Sequence, residues 1–535
     1  MHPLRYGDRV SFEVPGATQG IMPEARRLVA AARQAFAPRS RPAAQLDECA
    51  RRLDQPLRVA LAGHLKAGKS TLLNALVGQD IAPTDATECT RMVTWYRNGS
   101  APRVTAFAAD GSRADVVVRR QAGADGLPGA HGLTFDLTAP RWDRGPAREV
   151  DHLEVEWPAA ALARTTIIDT PGTSSLSREV SIRTARLLTP EDSESAAPPG
   201  ADAIVYLLRR LDAADVGFLE RIGSTTGRSG PLGVIGVVSR ADEIGAGRID
   251  ALHSARDVAA RFAGELERTG LCQAVIPVAG LLAFAAVTLR QREYDAFEAL
   301  ATVPAEELGA ALLSADRFAR PDLPLPVPPE LRAHLAARFG LFGIRMAVTL
   351  IRLGVRDSAS LATELTRRSG LDELRSVLDI QFAQRADQLK AHSALTALDR
   401  IVSAHPGTAA DQLLPRARTL LADVHGFAEL RLLGRLRTDE LPLPADDLAE
   451  MYRLIGGSGI APQLRLGLPA TADPATVRAQ ALAAVRKWRA RARHPLADQV
   501  TANACLVATR SAEGIAELLR EPPTAPLTRV RPRHP

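Results

Sequence analysis

The sequence is poor in aromatic residues, which make up 4% of it, and it holds only four cysteines and five methionines in 535 residues. With 46% hydrophobic residues overall, its cores must therefore be filled mainly by Leu, Ala, Val and Ile. Few aromatics also means no surface on which bases could stack, and no nucleic-acid module is recognisable, so no nucleic-acid partner is expected. Cys49, Cys89, Cys272 and Cys505 stand far apart. They form neither a metal-ligand spacing nor a disulfide framework, which fits a reducing cytoplasm. Long apolar runs are scarce as well. The stretch Leu271 to Leu289 nearly reaches the length of a membrane span, but Pro277 and Gly280 divide it into a short β-branched run and a helix. Met1 to Phe12 carries charges and no apolar core, so no signal peptide is expected. The net charge is +6 and the pI about 9.4, a modest excess for this length that favours anionic surfaces without identifying one.

What is present is organised around Gly63-His64-Leu65-Lys66-Ala67-Gly68-Lys69-Ser70-Thr71, which fits G-x-x-x-x-G-K-[ST]. The apolar run Leu57 to Ala62 precedes it and Leu72 to Leu76 follows it. A strand then delivers the loop, its backbone N–H groups turn inward around phosphates, and the helix behind it offers a positive N-terminus. Lys69 is expected to reach the β- and γ-phosphates, and Ser70 to bind Mg²⁺.

Three companions narrow the nucleotide. Thr90, with Thr84 and Thr87 as competitors, lies before the strand at Val93 and is the expected switch threonine, binding Mg²⁺ and positioning the attacking water. Asp169-Thr170-Pro171-Gly172 ends an apolar strand. Asp169 is expected to hold Mg²⁺ through water, and the Gly172 N–H to bond the γ-phosphate and sense its loss. Ser239-Arg240-Ala241-Asp242 stands where [NT]-K-x-D is usual. The Asp242 carboxylate accepts from guanine N1–H and the 2-amino group, donors that adenine lacks, while Arg240 lies over the base. Ser239 is a shorter tether than the usual residue. GTP and GDP with Mg²⁺ are therefore the expected ligands. Ala279 and Gly280 are expected to offer backbone groups to the base.

Along the chain, helical patterns at Pro23 to Phe36 and Ala44 to Leu53 come first, expected to pack on the helical C-terminal part. Strands and helices alternate from Pro56 to about Leu289, with strands at 57–62, 93–97, 103–107, 114–119, 152–157, 164–168, 203–208, 234–239 and 275–278. The glycine-rich Gly123 to Gly132 reads as a turn or mobile loop, and Pro190 to Gly200 as a poorly ordered one. The expected division is N-terminal helices over 1–55, a GTPase domain over 56–290, a proline-rich linker over 291–329, a helical stalk over 330–522 and a disordered tail over 523–535. The fold class is α/β: a P-loop GTPase domain with a mostly parallel sheet, plus an elongated α-helical bundle or stalk.

The order of these motifs, with a long helical region behind them, resembles the dynamin superfamily, and more closely the bacterial, actinobacterial dynamin-like GTPases related to the isoniazid-inducible proteins. Arg338 to Arg345 and Ser369 to Lys390 support the resemblance. It implies GTP hydrolysis coupled to self-association and membrane remodelling, a cytoplasmic protein peripheral at the inner face of the plasma membrane, and the possibility of a second dynamin-like protein as partner. In relatives the fourth place of the loop is a serine that helps hold a monovalent cation, or an arginine finger. Here Lys66 stands there and is expected to supply that positive charge itself. For contact with anionic membrane two segments compete, the basic amphipathic Ala481 to His494 and the loop Gly456 to Pro469. A regulatory GTPase acting on a protein partner, and a weakly hydrolysing partner subunit, remain rival readings.

Overall fold

The computed structural model describes residues 21–83, 92–108, 110–122, 128–143, 149–172, 200–225, 233–244, 248, 250–268, 272, 274–423, 425–436 and 441–519. The chain divides into two compact units, one of residues 25–440 and one of residues 1–24 with 441–535.

The larger unit is built on a ten-stranded sheet. Its strands in chain order are β1 (Leu57–Gly63), β2 (Val93–Asn98), β3 (Arg103–Phe107), β4 (Arg113–Ala122), β5 (Pro128–Trp142), β6 (His152–Trp157), β7 (Thr165–Asp169), β8 (Ala203–Leu208), β9 (Val234–Ser239) and β10 (Val275–Val278). Their spatial order is β10-β9-β8-β1-β7-β2-β6-β3-β4-β5. The run from β10 to β7 is parallel throughout, as are β2 and β6, while β2 opposes β7 and the β3, β4 and β5 edge is antiparallel. The parallel strands are covered on both faces, which is why β1, β8 and β9 are buried at every position and read as continuous apolar runs. On the antiparallel side the pattern alternates, as in β6, with Leu153, Val155 and Trp157 inward.

Two expectations are corrected here. The Gly123 to Gly132 piece is not all loop: from Pro128 onward it is β5, pairing with β4, Phe135 opposite Val118. Glycine and proline at its start hid a long edge strand. The expected linker over 291–329 is folded structure: helices Gln291–Ala301, Ala305–Ala311 and Ala315–Phe318 share a core with helix Pro329–Arg352. Phe297 meets Phe339 edge-on, ring centroids 5.0 Å apart. The prolines of 321–329 shape a short return between helices, and so do not mark a boundary.

Helix Pro329–Arg352 is the one described helix long and apolar enough to cross a membrane, yet 56% of its most apolar window is buried within this core. It is broken at Gly340 (φ 64°, ψ 172°), a conformation open to glycine alone. The Leu271 to Leu289 run is β10 and helix Gly280–Val287, inside the same unit. The N-terminal helix Arg41–Asp54 packs on helix Ala386–Ser403, with Lys390 Nζ donating to the carbonyls of Leu53 (3.1 Å) and Gln55 (3.3 Å) at its end.

In the smaller unit, helices Pro474–Ala492 and Gln499–Leu518 form a hairpin beside Ala445–Leu454. Asp473 and Asp498 cap the two long helices through the backbone N–H of Thr476 and Thr501. Trp488 is fully buried with Ala481, and Val485 is nearly so. Three of the basic side chains of this helix are paired: Lys487 with Asp447 (2.6 Å) and Glu450 (2.7 Å), Arg491 with Asp447 (2.6 Å), and Arg489 with Glu513. The apolar face of Ala481 to His494 is thus core. The loop Gly456 to Pro469 instead leaves Ile460 and Leu464 exposed. The Pro190 to Gly200 loop, apart from Gly200 itself, and the tail from 520 on lie outside the described residues.

Candidate functional site

Parallel pairing brings the ends of three strands to one edge. Leu61 of β1 is in register with Asp169 of β7, and Gly63 of β1 with Leu207 of β8. In an open α/β sheet this carboxyl edge is where ligands bind. Gly63 (φ 141°) must be glycine, because a Cβ there would come within 2.4 Å of the Leu207 carbonyl oxygen. The loop then turns through Lys66 (φ 61°) and Gly68 (φ 90°) into helix Lys69–Val77. Lys66 is exposed, and as a non-glycine residue in the left-handed region it carries about 1 kcal/mol of strain or more. Ala67 is buried, Thr71 half-buried, and Leu65 exposed at the loop's crest.

Lys69 is buried, and its Nζ donates to the carbonyls of Gly63 (3.1 Å) and His64 (3.1 Å). Burial lowers its pKa, opposed by the charge of Asp169. Burial likewise raises the Asp169 carboxyl, opposed by Lys69 and by the hydrogen bond from Ser70, whose Oγ donates to Asp169 Oδ2 at 2.6 Å. Next in β7's exit, Thr170 is pinned to the Leu61 carbonyl through both its N–H (3.2 Å) and its Oγ1 (2.8 Å). Gly172 lies directly on the phosphate loop: a Cβ there would be 2.7 Å from the Leu65 nitrogen. The two loops expected to hold a γ-phosphate therefore touch through backbone.

The end expected to read the base has the same tight construction. Ser239 Oγ donates to the Leu208 carbonyl at 3.1 Å, so the serine does tether its loop, to β8. Arg240 takes a left-handed conformation (φ 52°), and its Nη1 bonds Glu243 Oε1 at 2.7 Å. Asp242 is buried; burial pushes its carboxyl up to about 6, with its own backbone N–H and Arg240 opposing and Glu243 adding to the rise. A cavity of about 240 Å³ joins the two ends, lined among others by Gly68, Thr71, Arg240, Asp242, Gly280 and Leu281. Gly280 lines it, and the Ala279 N–H is taken by the Ser369 carbonyl at 2.9 Å. Thr90, Thr84 and Thr87 lie outside the described residues.

Two features were not anticipated from sequence. Asn74, fully buried on helix Lys69–Val77, donates to the Ala82 carbonyl (2.9 Å) and accepts from the N–H groups of Ile81 (2.9 Å) and Ala82 (2.8 Å). It fixes the chain just before the expected switch segment. An asparagine within Leu72-Leu73-Asn74-Ala75-Leu76 was the available signal, since a buried amide needs partners. The second is Gly340, where a Cβ would stand 3.7 Å from Asp242 Oδ2.

A strand, glycine loop and helix facing a strand-end Asp-Thr-Pro-Gly, with a buried aspartate at the far end of a shared cavity, define a P-loop nucleotide-binding domain of the GTPase class. Residues 59–238 match the Dynamin family. The chain is 54% identical over 475 residues to the isoniazid-induced protein IniC of Mycobacterium tuberculosis, covering 88% of this chain and 92% of that protein. A bacterial dynamin-like protein of Nostoc punctiforme is 43% identical over 54 residues, 10% of this chain and 8% of that one. A solved structure of an oligomerised bacterial dynamin pair, described as a mechanism for the long-range sensing and tethering of membranes, aligns with a TM-score of 0.32 at 13% identity, over 95% of this chain and 88% of that one. The chain belongs to the dynamin superfamily, as a bacterial dynamin-like protein of the kind the isoniazid-induced proteins represent.

Proposed function

We propose that this protein hydrolyses GTP to GDP and phosphate, and couples that cycle to self-association and to peripheral binding of an anionic membrane at the cytoplasmic side of the plasma membrane. The observation that carries the chemical part is the single cavity running from the phosphate loop to the buried Asp242. Its lining, from Gly68 and Thr71 of the loop to Asp242, suits a purine nucleotide with phosphates at one end and a guanine-reading carboxylate at the other.

Lys69, released from the carbonyls of Gly63 and His64, moves its ammonium onto the β- and γ-phosphates. The Ser70 hydroxyl and the Asp169 carboxylate, already 2.6 Å apart, form an oxygen-only donor pair of the kind Mg²⁺ takes, with Thr90 as a third contributor. Once bound, Mg²⁺ would neutralise phosphate charge. The Gly172 N–H bonds the γ-phosphate, and Thr90 positions the water. Lys66 places a cation at the β–γ bridge, so turnover is expected to need neither potassium nor sodium; a potassium requirement, or full activity in Lys66→Ala, removes Lys66 from the catalytic groups.

For membrane contact the loop Gly456 to Pro469 is the better candidate, since Ile460 and Leu464 are exposed while Trp488 is core. That same burial of Trp488 is what favours the rival reading, a regulatory GTPase whose partner is a protein. GTP turnover and sedimentation with and without anionic liposomes, with Lys69→Ala as control, separate the two. Turnover without lipid binding in any nucleotide state sinks the membrane part, and binding without turnover points to a partner subunit of a second dynamin-like protein.

A further inference from the structure

His64 is the second residue of the phosphate loop, and its side chain turns away from the phosphate side toward the loop that follows β8. Its Nε2 lies 2.8 Å from Asp215 Oδ1 and 3.9 Å from Asp212 Oδ2. Asp215 is completely buried and held on several sides. Its Oδ1 accepts from the Tyr206 hydroxyl at 2.7 Å, and its Oδ2 from the Asp212 N–H at 3.3 Å. Asp212 caps helix Ala213–Thr225 by accepting from the N–H groups of Ala214 (2.9 Å) and Asp215 (3.0 Å). Tyr206 belongs to β8 and stacks on Phe218, ring centroids 5.3 Å apart. The imidazole thus makes a close charge contact, rather than an aligned hydrogen bond, with a rigid anchor assembled from β8 and the helix after it.

The backbone of the same residue has a different task. The His64 carbonyl accepts from Lys69 Nζ at 3.1 Å, and the next peptide, at Leu65, is the one Gly172 rests on. When Lys69 turns to the phosphates it gives up the His64 carbonyl. The ring's tie to Asp215 is then what keeps the His64–Leu65 peptide in place, and with it the N–H of Leu65 and the seat of Gly172. A loop that sagged there would misplace the γ-phosphate, and misplacement on the scale of an ångström costs about a hundredfold in rate. We infer that His64 is a positioning residue for GTP turnover, acting through a His64–Asp215–Tyr206 clamp that holds the phosphate loop against β8. This rests on the GTPase reading proposed above.

The test is a double-mutant cycle on the full chain, with His64→Ala, Asp215→Ala and both together, scored as kcat and KM for GTP. His64→Gln, whose amide can reach Asp215 as a donor, and Tyr206→Phe complete the set, and Asp215→Asn stands in should Asp215→Ala not fold. His64→Ala should lower kcat about tenfold or more with little change in KM, the double variant should be no worse than the worse single one, and His64→Gln should recover most of the loss. Effects that multiply in the double variant, wild-type kcat in His64→Ala, or no recovery in His64→Gln overturn the clamp. If the wild type turns over no GTP, the GTPase reading falls by itself. The same cycle scored on thermal midpoints still decides the link, since additive shifts of His64→Ala and Asp215→Ala contradict it.

Discussion

Ser70 Oγ donates to Asp169 Oδ2 across 2.6 Å, joining the first turn of the phosphate-loop helix to the end of β7. The bond spans 99 residues of sequence and exists because β1 and β7 are parallel neighbours in register, Leu61 beside Asp169. Both oxygens belong to the proposed Mg²⁺ set. Asp169→Asn should therefore weaken Mg²⁺ binding and lower kcat by about a hundredfold or more, and both it and Ser70→Ala should raise the Mg²⁺ concentration needed for half-maximal rate. A Mg²⁺ titration of phosphate release checks both. Unchanged Mg²⁺ curves in both variants would remove these residues from the metal site.

Asp242 provides a prediction in pH. Burial raises its carboxyl to about 6 from the model-compound 3.8, so between these values the folded nucleotide-free protein binds more protons than the unfolded chain. The stability this group contributes is present at the acid end and is lost as pH rises from about 4 to about 6. Guanine recognition runs the other way, because only the ionised carboxylate accepts from both guanine donors. GDP affinity should fall as pH drops through about 6, and in Asp242→Asn this dependence should vanish together with the preference for guanine. Fluorescent-nucleotide titrations across pH 5 to 8 measure it.

The contact between Gly172 and Leu65 sets a steric test. Gly172→Ala inserts a Cβ 2.7 Å from a backbone nitrogen, which no side-chain rotation can relieve. The loops must separate, so GTP turnover should drop by about tenfold or more while GDP affinity and thermal midpoint change little. Parallel loss of all three would mean that the glycine serves folding alone.

Much of this site could be read in the sequence, and the reason is local. Phosphate loop, Asp169 to Gly172 and Ser239 to Asp242 each sit at the end of a short apolar strand, and such runs bounded by glycine, proline and aspartate identify themselves. What escaped depended on distance or on composition. β5 was hidden by the glycines before it, and residues 291–318 by the prolines that follow them, although Phe297 and Phe318 are fully buried. The meeting of Gly340 with Asp242 joins residues nearly a hundred positions apart through a break in a helix, and a Gly-Leu-Phe-Gly run gives no sign of it. Ala481 to His494 stayed a candidate for membrane contact because spacing alone cannot say whether a helix's apolar face, here the one with Trp488, meets lipid or other helices.

That ambiguity yields a paired prediction. Trp488→Ala should destabilise the protein by about 3–5 kcal/mol, as for any large core side chain. Ile460→Asp with Leu464→Asp should leave the thermal midpoint within about 2 °C and abolish sedimentation with anionic liposomes. Retained lipid binding in the double variant would move the contact elsewhere.

The most direct measurement for the account as a whole is phosphate release by the purified full chain with GTP and with ATP, in Mg²⁺, for the wild type and Lys69→Ala. Turnover of GTP well above that of ATP, lost in Lys69→Ala, is the predicted result. Equal use of both nucleotides, or GTP turnover that survives Lys69→Ala, would contradict it.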